Sequence, residues 1–100
     1  MVLEHAVLSV DPRRAAEFEA AFVRARPLIA HQRGFVELRL ERCLETPGRY
    51  VLLVTWDRLE DHTEGFRGSS EYPLWRDLLH HFYDPMPVVE HYEPVTLENR

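Results

Sequence analysis

RYVLLVTW, residues 49–56, is the stretch on which the fold turns. In an extended strand, successive side chains point to opposite faces. Val51 and Leu53 fall on one face here, and Leu52, Val54 and Trp56 on the other. A strand that is apolar on both sides is a central one, covered from two directions. Thr46-Pro47-Gly48 just upstream is a turn signal. Before it, FVELRLERCL at 35–44 alternates, with Val36, Leu38, Leu40 and Leu44 on one side and Glu37, Arg39 and Glu41 on the other. The two stretches predict a hairpin whose first strand has one wet face.

Working outward, residues 2–10 are rich in Val and Leu without Gly or Pro, and read as a strand. Asp11-Pro12 stops it and opens a helix, Asp as the cap and Pro in the first turn. Ala15, Phe18, Phe22, Ala25 and Ile29 follow at helical spacing, with Pro27 expected to kink or end the helix and Gly34 a stop nearby. Beyond Trp56, Asp57 and Glu60 form a capping-box pattern for a short helix with Leu59, His62 or Thr63, and Phe66 inward. Ser69-Ser70 is expected to cap another helix, on which Tyr72, Trp75, Leu78, Leu79 and Phe82 share a face. Asp84-Pro85-Met86-Pro87 interrupts, and residues 88–95 read as the last strand.

The order is β-α-β-β-α-α-β over a single domain, 1–100: an α+β fold with a ferredoxin-like antiparallel sheet and its helices on one face. That leaves a problem on the other face. In the first strand Leu3 and Val7 alternate with Val2, Ala6 and Leu8, so this strand too is apolar on both sides. One helical layer covers one face only. The simplest cover for the second is the same sheet of another copy, a homodimer.

A net charge of −5 without clustered arginines gives no footprint for a nucleic acid. The single cysteine, Cys43, forms no intramolecular disulfide, and no Cys/His spacing suits a metal such as zinc. The first ten residues lack the basic start of a signal peptide, and no apolar run reaches the ~20 residues of a membrane span. The expected location is the cytoplasm.

LLVTWDRLEDHTEGFRGSSEYPLWRDLLHHFYDPMPVVEHYEPV, residues 52–95, resembles the second half of an antibiotic biosynthesis monooxygenase-type domain. The shared pattern is a strand ending in an aromatic residue (here Trp56), a short helix, a Ser-capped helix with aromatic residues, and a strand carrying a His or aromatic. The likeness extends over most of the chain, from Val2 to Val95. It implies a dimeric α+β barrel. The family includes cofactor-independent oxygenases of aromatic polyketides, quinol oxygenases and haem-degrading enzymes. Many members carry a His late in the short helix, where this chain has Gly65 and Phe66 and places its His earlier, at His62. The haem-degrading branch resembles a triad of Asn, Trp and His, at positions that hold His5, Gly65 or Phe66, and Trp75 here. None matches, which disfavours haem.

Oxygenation without a cofactor has definite requirements. Triplet O2 reacts slowly with closed-shell molecules, but an electron-rich phenolate or carbanion can pass it one electron. The protein then supplies an apolar pocket, a base and donors for the oxyanion. His62 on the inner face of the short helix, and His5 and His91 on neighbouring strands, are the candidate bases. Trp56, Phe66, Tyr72, Trp75, Phe82 and Tyr92 are candidate pocket walls for a planar quinol or polyketide-like phenol. Each also has a packing role open to it. His5 and His91 could pair across strands, His80 and His81 could complement a helix end, and the aromatic residues could be core. The rival reading is a non-catalytic dimer that binds a small ligand or partner protein.

Overall fold

A computed structural model describes residues 1–98. Strands β1 (Val2–Ser9), β2 (Phe35–Arg42), β3 (Arg49–Trp56) and β4 (Val89–Tyr92) form one antiparallel sheet in the order β2-β3-β1-β4. Helix α1 (Ala15–Ala30) joins β1 to β2, and helix α2 (Tyr72–Leu79) lies between β3 and β4. This is the ferredoxin-like topology expected, with the two doubly apolar strands at its centre.

Strand parity sets up everything that follows. Glu4, Ala6 and Leu8 of β1 and Tyr50, Leu52, Val54 and Trp56 of β3 are buried on the helix side. Phe18, Phe22, Ala25 and Ile29 of α1, with Trp75 and Leu79 of α2, complete that core. Burial of each large side chain contributes ~1.5–3 kcal/mol. The alternate residues, Leu3, His5 and Val7 of β1 with Val51, Leu53 and Thr55 of β3, form the opposite face, which no helix or strand among the described residues covers; Val7 is 45% exposed.

Several local expectations need correction. A register shift between Phe35 and Glu37 sends Phe35 inward with Leu38 and Leu40, and leaves Val36 exposed. One extra residue in a strand reverses parity on one side of it. Leu44 falls beyond the strand and is exposed. Pro27 does not end α1, which continues to Ala30. Its last carbonyls are met instead by side chains, His31 Nδ1 at 2.8 Å from Pro27 O and Gln32 Nε2 donating to Leu28 O at 3.0 Å. β4 is shorter than the expected 88–95.

The segment after β3 is a single π-helical turn, Asp61–Phe66. Glu60 is not its capping acid. Asp61 is, its Oδ2 accepting from Arg58 N at 3.1 Å. Asp61 is buried in the space beside Gly34, which has φ of +82°, and a Cβ at Gly34 would overlap the Asp61 carboxyl. Ser69 does not cap α2 either: its hydroxyl donates backwards to Phe66 O at 2.7 Å, closing the π-turn.

Candidate functional site

Three buried polar residues stand out on the helix side: Glu4, Asp61 and His62. Two of them meet. Glu4 projects from β1 at an inward position, opposite Val54 of β3 and His91 of β4. The π-turn delivers His62 above it, so that His62 Nε2 lies 3.4 Å from Glu4 Oε1. Trp56 Nε1 donates to the same Oε1 at 3.0 Å, and the Trp56 ring stacks on the His62 ring with centroids 5.5 Å apart. On its other side, His62 Nδ1 is 2.8 Å from Nε2 of His91. His62 and His91 are therefore hydrogen-bonded and Glu4 lies within ion-pair distance of the same ring, while Glu4 Oε2 has no hydrogen-bond partner among the described residues.

Burial governs the charge on these three residues. It pushes the Glu4 carboxyl up to about 7, against the opposing pull of the Trp56 hydrogen bond and the Arg67 charge. It pushes the His62 imidazole down to about 3, helped by Arg67 and His91. His91 is lowered too, by burial and then by Arg67. Near neutral pH His62 is thus an uncharged ring with one N–H, and Glu4 sits close to half ionised. The His62–His91 bond can run either way. With its proton on Nε2, on the side of Glu4, His62 accepts at Nδ1 from His91; with its proton on Nδ1, it donates to His91 Nε2.

Glu4 and His62 line a partly enclosed cavity of about 230 Å³. Phe66, Tyr72 and Trp75 supply aromatic wall, Arg67, His80 and Tyr83 add polar groups, and Met86, Pro87 and Val89 close the β4 side. Burial lowers His80 and raises the Tyr83 hydroxyl above its ordinary value.

The structure brings together some of the sequence candidates and separates others. His62, Phe66, Tyr72 and Trp75 line the cavity, His91 touches it through His62, and Trp56 stands behind Glu4 and His62. His5 does not reach it. It pairs in register with Glu90, not His91, and lies on the uncovered face with its ring edge-on to Tyr92, centroids 5.6 Å apart. β1 and β4 are neighbours, but adjacent positions on a strand face opposite ways, so His5 and His91 are on different sides of the sheet. Tyr92 leaves the pocket for the same reason. Phe82 is buried in the core against Phe18, at 5.5 Å between centroids, with the Arg14 guanidinium 4.4 Å above its ring. Glu4, Arg67 and Tyr83 are not among the sequence candidates, and His80, whose sequence reading is a complement to a helix end, lines the cavity. For Glu4 a signal existed: it is a carboxylate in step with Ala6 and Leu8 on an otherwise apolar strand face.

Among the described residues, no group of three or more His, Cys, Asp or Glu is placed to hold a metal ion, and no helix is long and apolar enough to cross a membrane.

An antiparallel ferredoxin-like sheet with a cavity between it and its helices defines a class, and the family model described as antibiotic biosynthesis monooxygenase matches residues 1–78. The chain belongs to that family. It is 50% identical over 95 residues to YczJ, an uncharacterised protein of Bacillus subtilis, covering 95% of this chain and all of that one. A crystal structure from Bordetella bronchiseptica, of a protein provisionally named an antibiotic biosynthesis monooxygenase, superposes with a TM-score of 0.88 at 37% identity, covering 95% of this chain and 97% of that one. SnoaB of Streptomyces nogalater, a cofactor-independent oxygenase, shares the fold with a TM-score of 0.72 at 22% identity, over 98% of this chain and 94% of its own.

Proposed function

We propose that the chain is a homodimeric, cofactor-independent monooxygenase acting in the cytoplasm on a small planar phenol, a quinol in preference to a multi-ring polyketide. The observation that carries this reading is the cavity, which sets a buried carboxylate and its imidazole partner against aromatic walls. Its volume of about 230 Å³ falls below the ~300–1,000 Å³ of pockets for drug-sized ligands, which favours one ring over several.

The base in this reading is Glu4, with His62 as its partner. A general base works best when its pKa lies near the working pH. The Glu4 carboxyl, near 7, meets that condition, and its Oε2 is unengaged. His62, near 3, is a weak base, its Nδ1 is engaged by His91, and its Nε2 lies against Glu4 at 3.4 Å. Its part is to hold Glu4 and to pass a proton toward His91, the least buried of the three. A quinol losing its hydroxyl proton to Oε2 becomes a phenolate. The phenolate gives one electron to O2, and the resulting radical pair combines at a ring carbon. Return of the proton and loss of water leave a hydroxyquinone. One oxygen atom enters the ring, the other leaves as water, and the quinol supplies both reducing electrons.

The test is oxygen uptake by the purified protein with hydroquinone or an anthrone, in the presence of chelator and without added flavin or metal. Enzyme-dependent uptake is expected, falling ~100-fold in Glu4→Gln and at least about tenfold in His62→Ala. If no such substrate gives uptake above the uncatalysed rate, the oxygenase reading fails. A dimer that binds these phenols without consuming oxygen would favour the ligand-binding alternative.

A further inference from the structure

Arg67 is the feature that this mechanism leaves unused. It follows the π-turn directly and lines the cavity. Its charge reaches Glu4, His62 and His91, yet among the described residues no carboxylate pairs with its guanidinium, although arginines elsewhere on the chain do pair: Arg13 with Asp11, Arg14 with Glu17 and Arg42 with Glu19. Arg24, Arg26, Arg33 and Arg49 are likewise without a carboxylate partner among the described residues, but Arg67 is the one described arginine that lines the cavity of Glu4 and His62, on a chain of net charge −5. The cavity departs from that balance. Its lining contains one acid, Glu4, and one permanent cation, Arg67, beside two histidines whose charged forms burial disfavours. Glu4 is also the acid least able to serve as a permanent counter-ion. It is buried at 5% exposure, already accepts from Trp56, and gives up its charge readily.

An unpaired guanidinium beside aromatic walls has a natural complement. Its planar fork of N–H donors matches a carboxylate in two parallel bonds, which a neutral hydroxyl cannot reproduce. We propose that the cavity takes its aromatic ligand as an anion, a single ring bearing a carboxylate that pairs with Arg67. This deepens the oxygenase reading by naming the substrate class, and rests on that reading for the phenolic part of the ring only. The titratable and charged residues lining the cavity around that anion are Arg67 after the π-turn, His62 within it, Glu4 on β1, His80 after α2, and Tyr72 and Tyr83. Glu4 opposes an anion when ionised, and so binding should draw a proton onto it.

The comparison that tests this uses two hydroquinones of the same shape, 2,5-dihydroxybenzoate and the neutral 2,5-dihydroxybenzamide. Binding is measured without oxygen by calorimetry or by quenching of tryptophan emission, so that turnover plays no part. The benzoate should bind at least about tenfold more tightly, equivalent to ~1.4 kcal/mol. Arg67→Gln should remove the difference, while Arg67→Lys should keep part of it. Added salt should weaken the benzoate more than the benzamide. Equal affinities, no binding of either compound, or a benzoate preference that survives Arg67→Gln would overturn the proposal. A benzoate that binds through Arg67 but supports no oxygen uptake would sustain the anion site and remove the oxygenase reading instead.

Discussion

The two faces of the sheet are built from alternate residues of the same strands, and they have opposite characters. Toward the helices β1 presents Glu4, Ala6 and Leu8, all buried. Away from them it presents Leu3, His5 and Val7, with Val7 substantially exposed. The helix side holds a carboxylate and an imidazole in a dry setting, where burial moves their proton affinities by large amounts. The other side has an apolar centre of Leu3, Val7, Val51 and Leu53 and one histidine, His5, whose Nδ1 is shut away from solvent without a partner among the described residues. Reactivity here is a matter of which side of a pleat a residue falls on, more than of which residue it is. The first face is finished within one chain. The second is the face that the proposed homodimer would cover.

Neighbouring leucines in β3 give the sharpest contrast. Leu52, 4% exposed on the helix side, should lose ~2–5 kcal/mol of folding stability on change to Ala, read by chemical denaturation. Leu53→Asp, on the uncovered face, should leave each protomer folded and turn a dimer into a monomer in sedimentation at micromolar concentration. A wild-type protein that is already a well-folded monomer would break the contrast, since the exposed apolar face would then need no cover.

Glu4 comes next in size. Its folded-state pKa, about 7, stands above the ordinary 4.5, so the fold prefers the protonated acid. The contribution is present in full below pH 4.5 and is lost as pH rises through 7, a change of about 3 kcal/mol. Glu4→Gln keeps an acceptor for Trp56 and cannot ionise. Thermal melts should therefore show it more stable than wild type at pH 8 and nearly equal at pH 4.5, although it is less active in oxygen uptake. That combination marks a residue kept for chemistry at the expense of stability. A variant destabilised at pH 8 would show that the ionised carboxylate is well accommodated. His62 acts in the opposite sense: its lowered pKa gives stability that is present above pH 6.5 and fades as pH falls toward 3.

The smallest effect separates the two strand histidines. His91→Ala removes the hydrogen-bond partner of His62 Nδ1 and should slow oxygen uptake about three- to tenfold. His5→Ala, on the other side of the sheet, should change it less than twofold. Equal losses would erase the distinction between the faces.

Much of this architecture was legible in the sequence because alternation is a local property. The alternation in residues 49–56 predicts a strand with two apolar faces, and the segment is β3 with that parity. The inward positions of α1 likewise follow from its spacing. What escaped depended on features without a local signature. The shift between Phe35 and Glu37 turned Val36 outward, although the alternation around it looked regular. The turn holding His62 is set by Asp61 reaching back to Arg58, where Glu60 looked an equally good cap. His62 and His91 were recognisable as candidates, but His5 entered beside them because two neighbouring strands do not reveal which of their residues share a side. Glu4 has no local signature of its role, because the residues it meets, Trp56 and His62, lie on the far half of the chain. Its position on an apolar strand face was the clue.

Gly34 shows where this arrangement is most vulnerable. It does not line the cavity and has no side chain to perform chemistry, yet the Asp61 carboxyl occupies the place a side chain would take. Its backbone angle also lies where side chains of L-residues are rarely tolerated. Even a methyl group there would evict Asp61, and with it the clamp that aims the next residue, His62, at Glu4. Chance substitution could thus silence the centre without altering any group in it, and heredity should guard this mute position as closely as the reactive ones.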